Sequence, residues 1–180
     1  GDNRDKLDLA VLVSDVAELY EPVAEERGIA LEAEVEAPIV IRGDRQLLGQ
    51  AIANLIDNAL KYGAPSAQGG NGYAPEVGVQ AQMDGDTVEI TVSDRGPGVP
   101  AAERERVLGR FVRLEESRSE PGSGLGLSLV AAVARLHGGV LRLEDNDPGL
   151  RVVLVLPLEG DALVNGAVTE PSTGAEPRPT

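Results

Sequence analysis

Cysteine and tryptophan are absent from this 180-residue chain, which has only one phenylalanine, three tyrosines, one histidine and one methionine. Without thiols there can be no disulfide and no thiolate-held metal. With aromatics at 2%, the core has to be assembled from Val, Leu, Ile and Ala. Basic residues are scarce as well: sixteen Lys and Arg against thirty Asp and Glu leave a net charge of −14, which disfavours nonspecific attraction to nucleic acid or to an anionic membrane. Any polyphosphate must therefore be met by a local site. No apolar run approaches the roughly 18 residues of a membrane span, and no signal-peptide pattern is visible at the start. The expectation is one domain plus a tail, in contact with neither nucleic acid nor membrane, which can be a piece of a longer protein.

Local patterns divide the chain into elements. Residues 7–9 suit a short extended lead-in. Leu12, Val16, Leu19 and Val23 recur at helical spacing within residues 11–27, and Gly28 falls just past the end. Residues 29–35 alternate Ile29, Leu31, Ala33 and Val35 with Ala30, Glu32 and Glu34, the period of a half-buried strand, and residues 38–41 are expected as its short partner. Asp44 is placed as the N-cap of a helix to Tyr62 with a wide apolar face, stopped by Gly63. Residues 63–75 have hardly an apolar side chain and predict a mobile loop. Strands at 77–83 and 87–93 form a hairpin around Asp84, Gly85 and Asp86. After a glycine and proline turn at 94–100 come a short helix at 101–108, a charged segment at 109–121 and a helix at 124–137 carrying Leu125, Leu129, Val133 and Leu136 on one side. Strands at 140–144 and 150–158 flank the turn Asn146-Asp-Pro-Gly149, and beyond Glu159 the composition predicts a disordered tail. Helices mixed with hairpins indicate an α+β class, a two-layer α/β sandwich whose mostly antiparallel sheet is covered on one face by three helices.

Three clusters have chemical potential. Asn54, Asn58 and Lys61 stand at i, i+4 and i+7 and share a narrow polar stripe opposite the packed face of their helix. An amide oxygen suits a hard cation such as Mg²⁺, which takes other ligands from waters and phosphates; a solvated helix face is the plainer alternative. Asp94, Gly96 and Gly98 directly follow an apolar strand. A carboxylate there can accept from an exocyclic amine while the glycines let another group lie against the backbone, although an ordinary β-turn uses the same residue types. The run Pro121-Gly-Ser-Gly-Leu-Gly-Leu-Ser128 leads into a helix whose free N–H groups and dipole suit phosphate. A flexible connector is the alternative, but Leu125 and Leu127 alternating between glycines is unusual for one. No Gly-Lys-Ser/Thr follows it and no apolar strand precedes it, so it is neither a Walker loop nor a Rossmann turn. His137, the only histidine, ends a helix before Gly138 and Gly139 and reads as a cap or packing residue.

Taken in order, these pieces resemble the ATPase domain of two-component sensor histidine kinases, within the Bergerat-fold (GHKL) class that includes type II topoisomerases and mismatch-repair ATPases. The resemblance runs from about residue 7 to 158: residues 44–62 are similar to the asparagine box, 94–98 to the first glycine box, 109–114 to the phenylalanine box and 122–127 to the second glycine box. It implies ATP and Mg²⁺ as ligands. Asn58 would coordinate Mg²⁺ with Asn54 close by, Lys61 would meet the phosphates, and Tyr62 the adenine. Asp94 would accept from the adenine amino group, with Gly96 and Gly98 in the same binding turn. Gly122, Ser123, Gly124, Leu125, Gly126 and Leu127 would carry the lid backbone over the phosphates, Arg113 would approach the terminal phosphoryl, and Phe111 would report lid position. Asn58, Lys61 and Arg113 are thus the implied catalytic set.

The implied reaction passes the ATP γ-phosphoryl group to a histidine on the protein's own dimerisation domain and then to an aspartate of a response regulator, in the cytoplasm. Two features depart from the family pattern. The phosphoacceptor histidine with its following acid and proline is missing, and the 63–75 loop is longer than usual. Residues 1–8 are read as a linker from an upstream dimerisation helix, 9–158 as the ATP-binding domain and 159–180 as the tail. A nucleotide-sensing module without catalysis and a serine kinase of the anti-sigma type share the same pocket and stand as alternatives.

Overall fold

Two aspartates start the long helices of the computed structural model, which describes residues 4–63, 74–98, 102 and 127–158. Asp8 Oδ1 accepts from the Ala10 N–H at the head of α1 (Leu9–Glu26), and Asp44 Oδ1 accepts from the Leu47 N–H at the head of α2 (Arg45–Tyr62), which Gly63 closes. Each cap satisfies a donor that has no partner within its helix, and losing one costs about 1 kcal/mol. α1 buries Leu9, Leu12, Val13, Val16 and Ala17, with Tyr20 packed against the core. Leu19, expected on that face, is 74% exposed; it lies at the edge of the buried stripe, about 20° round the helix from Leu12 and about 120° from Val13.

The remaining elements are β1 (Asp5–Asp8), β2 (Ala30–Val35), β3 (Val40–Gly43), β4 (Glu76–Asp84), β5 (Thr87–Asp94), α3 (Leu127–Leu136), β6 (Val140–Asp145) and β7 (Leu150–Pro157). Five strands form one sheet in the order β2-β4-β5-β7-β6, with only the β2–β4 pair parallel. Both expected hairpins are present, closing at Asp84↔Thr87 and at Asp145↔Leu150. The expected pairing of residues 38–41 with β2 is not. β3 instead pairs antiparallel with β1, placing Leu7 opposite Ile41, in a separate two-stranded ribbon. Asp8 Oδ1 also accepts from the Ile39 N–H, and the Leu9 N–H donates to the Ile39 carbonyl. This arrangement buries Leu7, Ile39 and Ile41 in the core, whereas β2 presents exposed Ala30, Glu32 and Glu34. Residues 5–8, read as linker, are therefore the first strand.

The three helices among the described residues pack on one face of the sheet, α1 against β2 and β4, α2 against β4 and β5, α3 against β6 and β7. Val77, Val79 and Ala81, then Val88, Ile90 and Val92, then Val152, Leu154 and Leu156 are buried at alternate positions, as the period of a strand requires. The largest fully buried side chains are all Leu or Ile, the aliphatic core that the composition demands. On α3 the buried stripe is Leu127, Val130, Ala131, Val133 and Ala134. Of the expected face, Val133 is buried and Leu129 packs partly against the core, but Leu136 is 55% exposed, about half a turn round the helix from Leu127. The helix expected from 124 is described from Leu127. Only residue 102 of the expected 101–108 helix is described, and the segments 64–73, 103–126 and 159–180 lie outside the described residues.

His137 is 6% exposed and ties the end of α3 to the start of α2. Its Nε2 accepts from the Asp44 N–H at 3.0 Å and its Nδ1 faces the Val133 carbonyl at 2.8 Å. A backbone N–H can only donate and a carbonyl only accept, so the ring carries its proton on Nδ1. Its role is structural, as its place in the sequence indicates.

Candidate functional site

A cavity of about 310 Å³ opens between α2 and the ends of β5 and β7. Helix α2 contributes Leu55, Asn58, Ala59 and Tyr62, positions three or four apart and so on one face. The strands contribute Val92, Asp94, Leu150 and Val152, the turn after β5 adds Pro97 and Gly98, and Leu127 of α3 closes one side. Largely apolar surroundings around one carboxylate suit an apolar-faced ligand that carries a hydrogen-bond donor at its edge.

Asp94 is 7% exposed. Its Oδ1 accepts from the Gly96 N–H at 2.9 Å and from the Leu150 N–H at 3.2 Å. Burial pushes its carboxyl above the ordinary value of 3.8, and the two backbone hydrogen bonds pull the other way. The surrounding backbone is packed too closely for any side chain. A Cβ on Gly63 would collide with the Asp94 side chain, one on Gly96 would lie 2.6 Å from the Gly63 carbonyl, and one on Gly149 would overlap the Asp94 carbonyl oxygen. Gly96 thus gives room to Gly63, while Gly98 both lines the cavity and abuts the Gly149 carbonyl. The clamp made by Gly63, Asn146, Gly149 and Leu150 is absent from the sequence reading. Its only local signals are a helix-stopping glycine and an Asn-Asp-Pro-Gly turn, and neither names a distant partner.

Asn58 lies across the cavity. Its Nδ2 is buried without a hydrogen-bond partner among the described residues, a situation that costs about 1–3 kcal/mol. Rotation of the amide presents either its oxygen or its nitrogen to the same space. Among the described residues no group of three or more His, Cys, Asp or Glu could hold a metal, so a cation at Asn58 would take its remaining ligands from a phosphate-bearing ligand and water, as Mg²⁺ commonly does. The polar stripe expected opposite the packed face divides here. Asn58 shares the cavity face with Leu55 and Tyr62, whereas Asn54 and Lys61 do not line it. Lys61 Nζ sits 2.9 Å from Asp57 Oδ2, with the two side chains 48% and 32% exposed. That hydrogen bond and the Asp57 charge raise the Lys61 pKa. The expected roles of Phe111, Arg113, Gly122, Ser123, Gly124, Leu125 and Gly126 fall outside the described residues; Leu127 is described and lines the cavity.

The sequence profile of the histidine kinase-, DNA gyrase B-, and HSP90-like ATPase family matches residues 43–160. Over 112 residues the chain is 46% identical to the signal transduction histidine-protein kinase/phosphatase MprB of Mycolicibacterium vanbaalenii, a match covering 62% of this chain and 22% of that protein. The chain spans about a fifth of the length of the curated relatives it matches. Among solved structures, a mycobacterial sensor histidine kinase MprB aligns with a TM-score of 0.67 at 34% identity, over 87% of this chain and 98% of that one. The catalytic domain of the histidine kinase ThkA shares the fold, with a TM-score of 0.72 at 22% identity over 87% of this chain and 98% of that one. ThkA has also been crystallised in complex with the response regulator protein TrrA.

Proposed function

The chain belongs to the histidine kinase-, DNA gyrase B-, and HSP90-like ATPase family, as the catalytic domain of a sensor histidine kinase, and on that premise we propose that it binds Mg-ATP in the cavity beside α2. The domain then presents the γ-phosphoryl group to a histidine on a separate dimerisation domain, for onward transfer to a response-regulator aspartate in the cytoplasm. One observation carries the reading: Asn58 and the buried carboxylate of Asp94 face a single apolar cavity.

Each residue has a task that follows from its surroundings. Leu55, Ala59, Val92, Leu150 and Val152 sandwich the base, and Tyr62 stands at the rim. Asp94 already accepts two backbone N–H groups at Oδ1, so Oδ2 receives the adenine amino group. Asn58 would hold Mg²⁺ through its amide oxygen, and the ion would supply neutralisation of the phosphate charge. Lys61 reaches the phosphates by leaving Asp57, since an exposed pair of this kind is screened by solvent and easily parted. The roles that the family resemblance implies for Arg113 and the glycine run 122–126 rest on the sequence alone. Neutral imidazole is itself a nucleophile, so positioning and charge neutralisation supply the chemistry and no general base on this domain is required. The ATP-binding unit takes in the residues 9–158 expected from the sequence together with β1 at its start.

The test mixes the chain with a histidine-bearing dimerisation domain from a sensor kinase, Mg²⁺ and γ-labelled ATP. Acid-labile label on the histidine is expected. Acid-stable label on a hydroxyl would replace this reading with that of a serine kinase, and binding without transfer would leave a nucleotide sensor.

A further inference from the structure

Asn146, in the turn between β6 and β7, makes contacts that converge on Asp94 from 52 residues away. Its Nδ2 donates to the Asp94 carbonyl oxygen at 2.6 Å, its N–H donates to the Gly149 carbonyl at 3.0 Å, and its Oδ1 accepts from Arg151 Nη2 at 2.8 Å. A guanidinium only donates and a carbonyl only accepts, so these partners determine which end of the amide faces which. Gly149 presses against the Asp94 backbone, and the Leu150 N–H donates to Asp94 Oδ1. One turn therefore grips both the main-chain and the side-chain oxygen of the same residue.

Asn146 does not line the cavity, so it acts on a ligand through the residues it holds, and its side-chain amide donates to Asp94. We infer that Asn146, oriented by Arg151, is a positioning residue for the Asp94 carboxylate, and that this turn sets the preference for a nucleobase bearing an exocyclic amine. The inference rests on the nucleotide reading above. Asn146→Asp separates this role from mere support of the turn. The variant is isosteric and strengthens the Arg151 contact by adding charge, yet it turns an acceptor toward the Asp94 carbonyl. A residue that only braced the turn would tolerate the change.

The test compares binding of Mg-ATP and of Mg-purine riboside triphosphate, which lacks the 6-amino group, to the whole chain by calorimetry. The wild type is expected to prefer ATP about tenfold, the worth of one hydrogen bond to a charged acceptor. In Asn146→Asp that ratio should fall to about twofold or less while the affinity for the amine-free analogue changes by less than about twofold. An unchanged ratio in the folded variant overturns the inference, and so does an equal loss for both ligands, the mark of general loosening. A wild type with no preference removes the assignment of Asp94 itself, a different failure that takes the inference with it. Arg151→Met, at a side chain 42% exposed, keeps the turn sequence and decides the matter if Asn146→Asp does not fold. Its ratio should drop about threefold, and an unchanged ratio there also overturns the inference.

Discussion

The two walls of the cavity are built by opposite means. On the strand side, Asp94 is immobilised by backbone donors, by Asn146 and by glycines packed at contact distance. On the helix side, Asn58 has an amide nitrogen without a partner among the described residues, and Lys61 is held only by an exposed pair with Asp57. The strand wall is preorganised, so a base docking there orders little; the helix wall has contacts to gain when phosphates and a cation arrive. Affinity for the base and response to the metal should accordingly respond to different mutations.

Gly149→Ala should break the strand wall outright. Its φ of 110 and the overlap of a Cβ with the Asp94 carbonyl predict a loss of about 3 kcal/mol or more, with nucleotide binding abolished; urea denaturation showing a loss under about 1 kcal/mol would refute the clamp. Asp94→Asn should spare the wall and spoil its function, since an amide still accepts at Oδ1 but turns a donor toward the adenine amine. We expect a fall of about 10–100-fold in ATP affinity by calorimetry with stability changed by less than about 1 kcal/mol.

The same pair tests the electrostatics. The native carboxyl of Asp94 is raised above 3.8, so the folded state binds more protons than the unfolded one in the window between 3.8 and that raised value. The penalty for burying its charge is present above the window and is lost as pH falls through it. Wild type should therefore gain stability relative to Asp94→Asn on acidification while losing ATP affinity. A stability difference flat with pH would contradict the burial argument.

On the helix wall, Asn58→Ala should raise stability by up to about 1 kcal/mol by removing an unpaired amide, yet lower Mg²⁺-dependent ATP affinity about tenfold. A stability loss above about 1 kcal/mol would mean that Asn58 supports the fold instead. Lys61→Ala is the mildest change and should leave the thermal melt essentially where it is. A larger shift would show that its pair with Asp57 is part of the scaffold.

What could be read from the sequence was local. Asp44, Gly63, the hairpins at 84–86 and 146–149 and the site of His137 all follow from residues a few positions apart, and Asp94 and Asn58 came together through the ordered boxes of the family resemblance. Contacts between distant segments were opaque. The pairing of β1 with β3 depends on shelter for Leu7 and Ile41, which β2's alternating pattern cannot reveal. The faces of α1 and α3 were misjudged at Leu19 and Leu136 because four apolar positions fit more than one helical stripe. Asn146 and Gly149 looked like turn residues because they are turn residues; their grip on Asp94 exists only once β5 and β7 lie side by side.

One junction has a mechanical consequence. A Cβ on Gly43 would lie 2.8 Å from Leu48 and 2.9 Å from His137, so the last residue of β3 is wedged between α2 and the residue that follows α3. Asp5 pairs with Gly43 across the ribbon. Any side chain placed at Gly43 would therefore press on the start of α2 and on the residue that closes α3 at once.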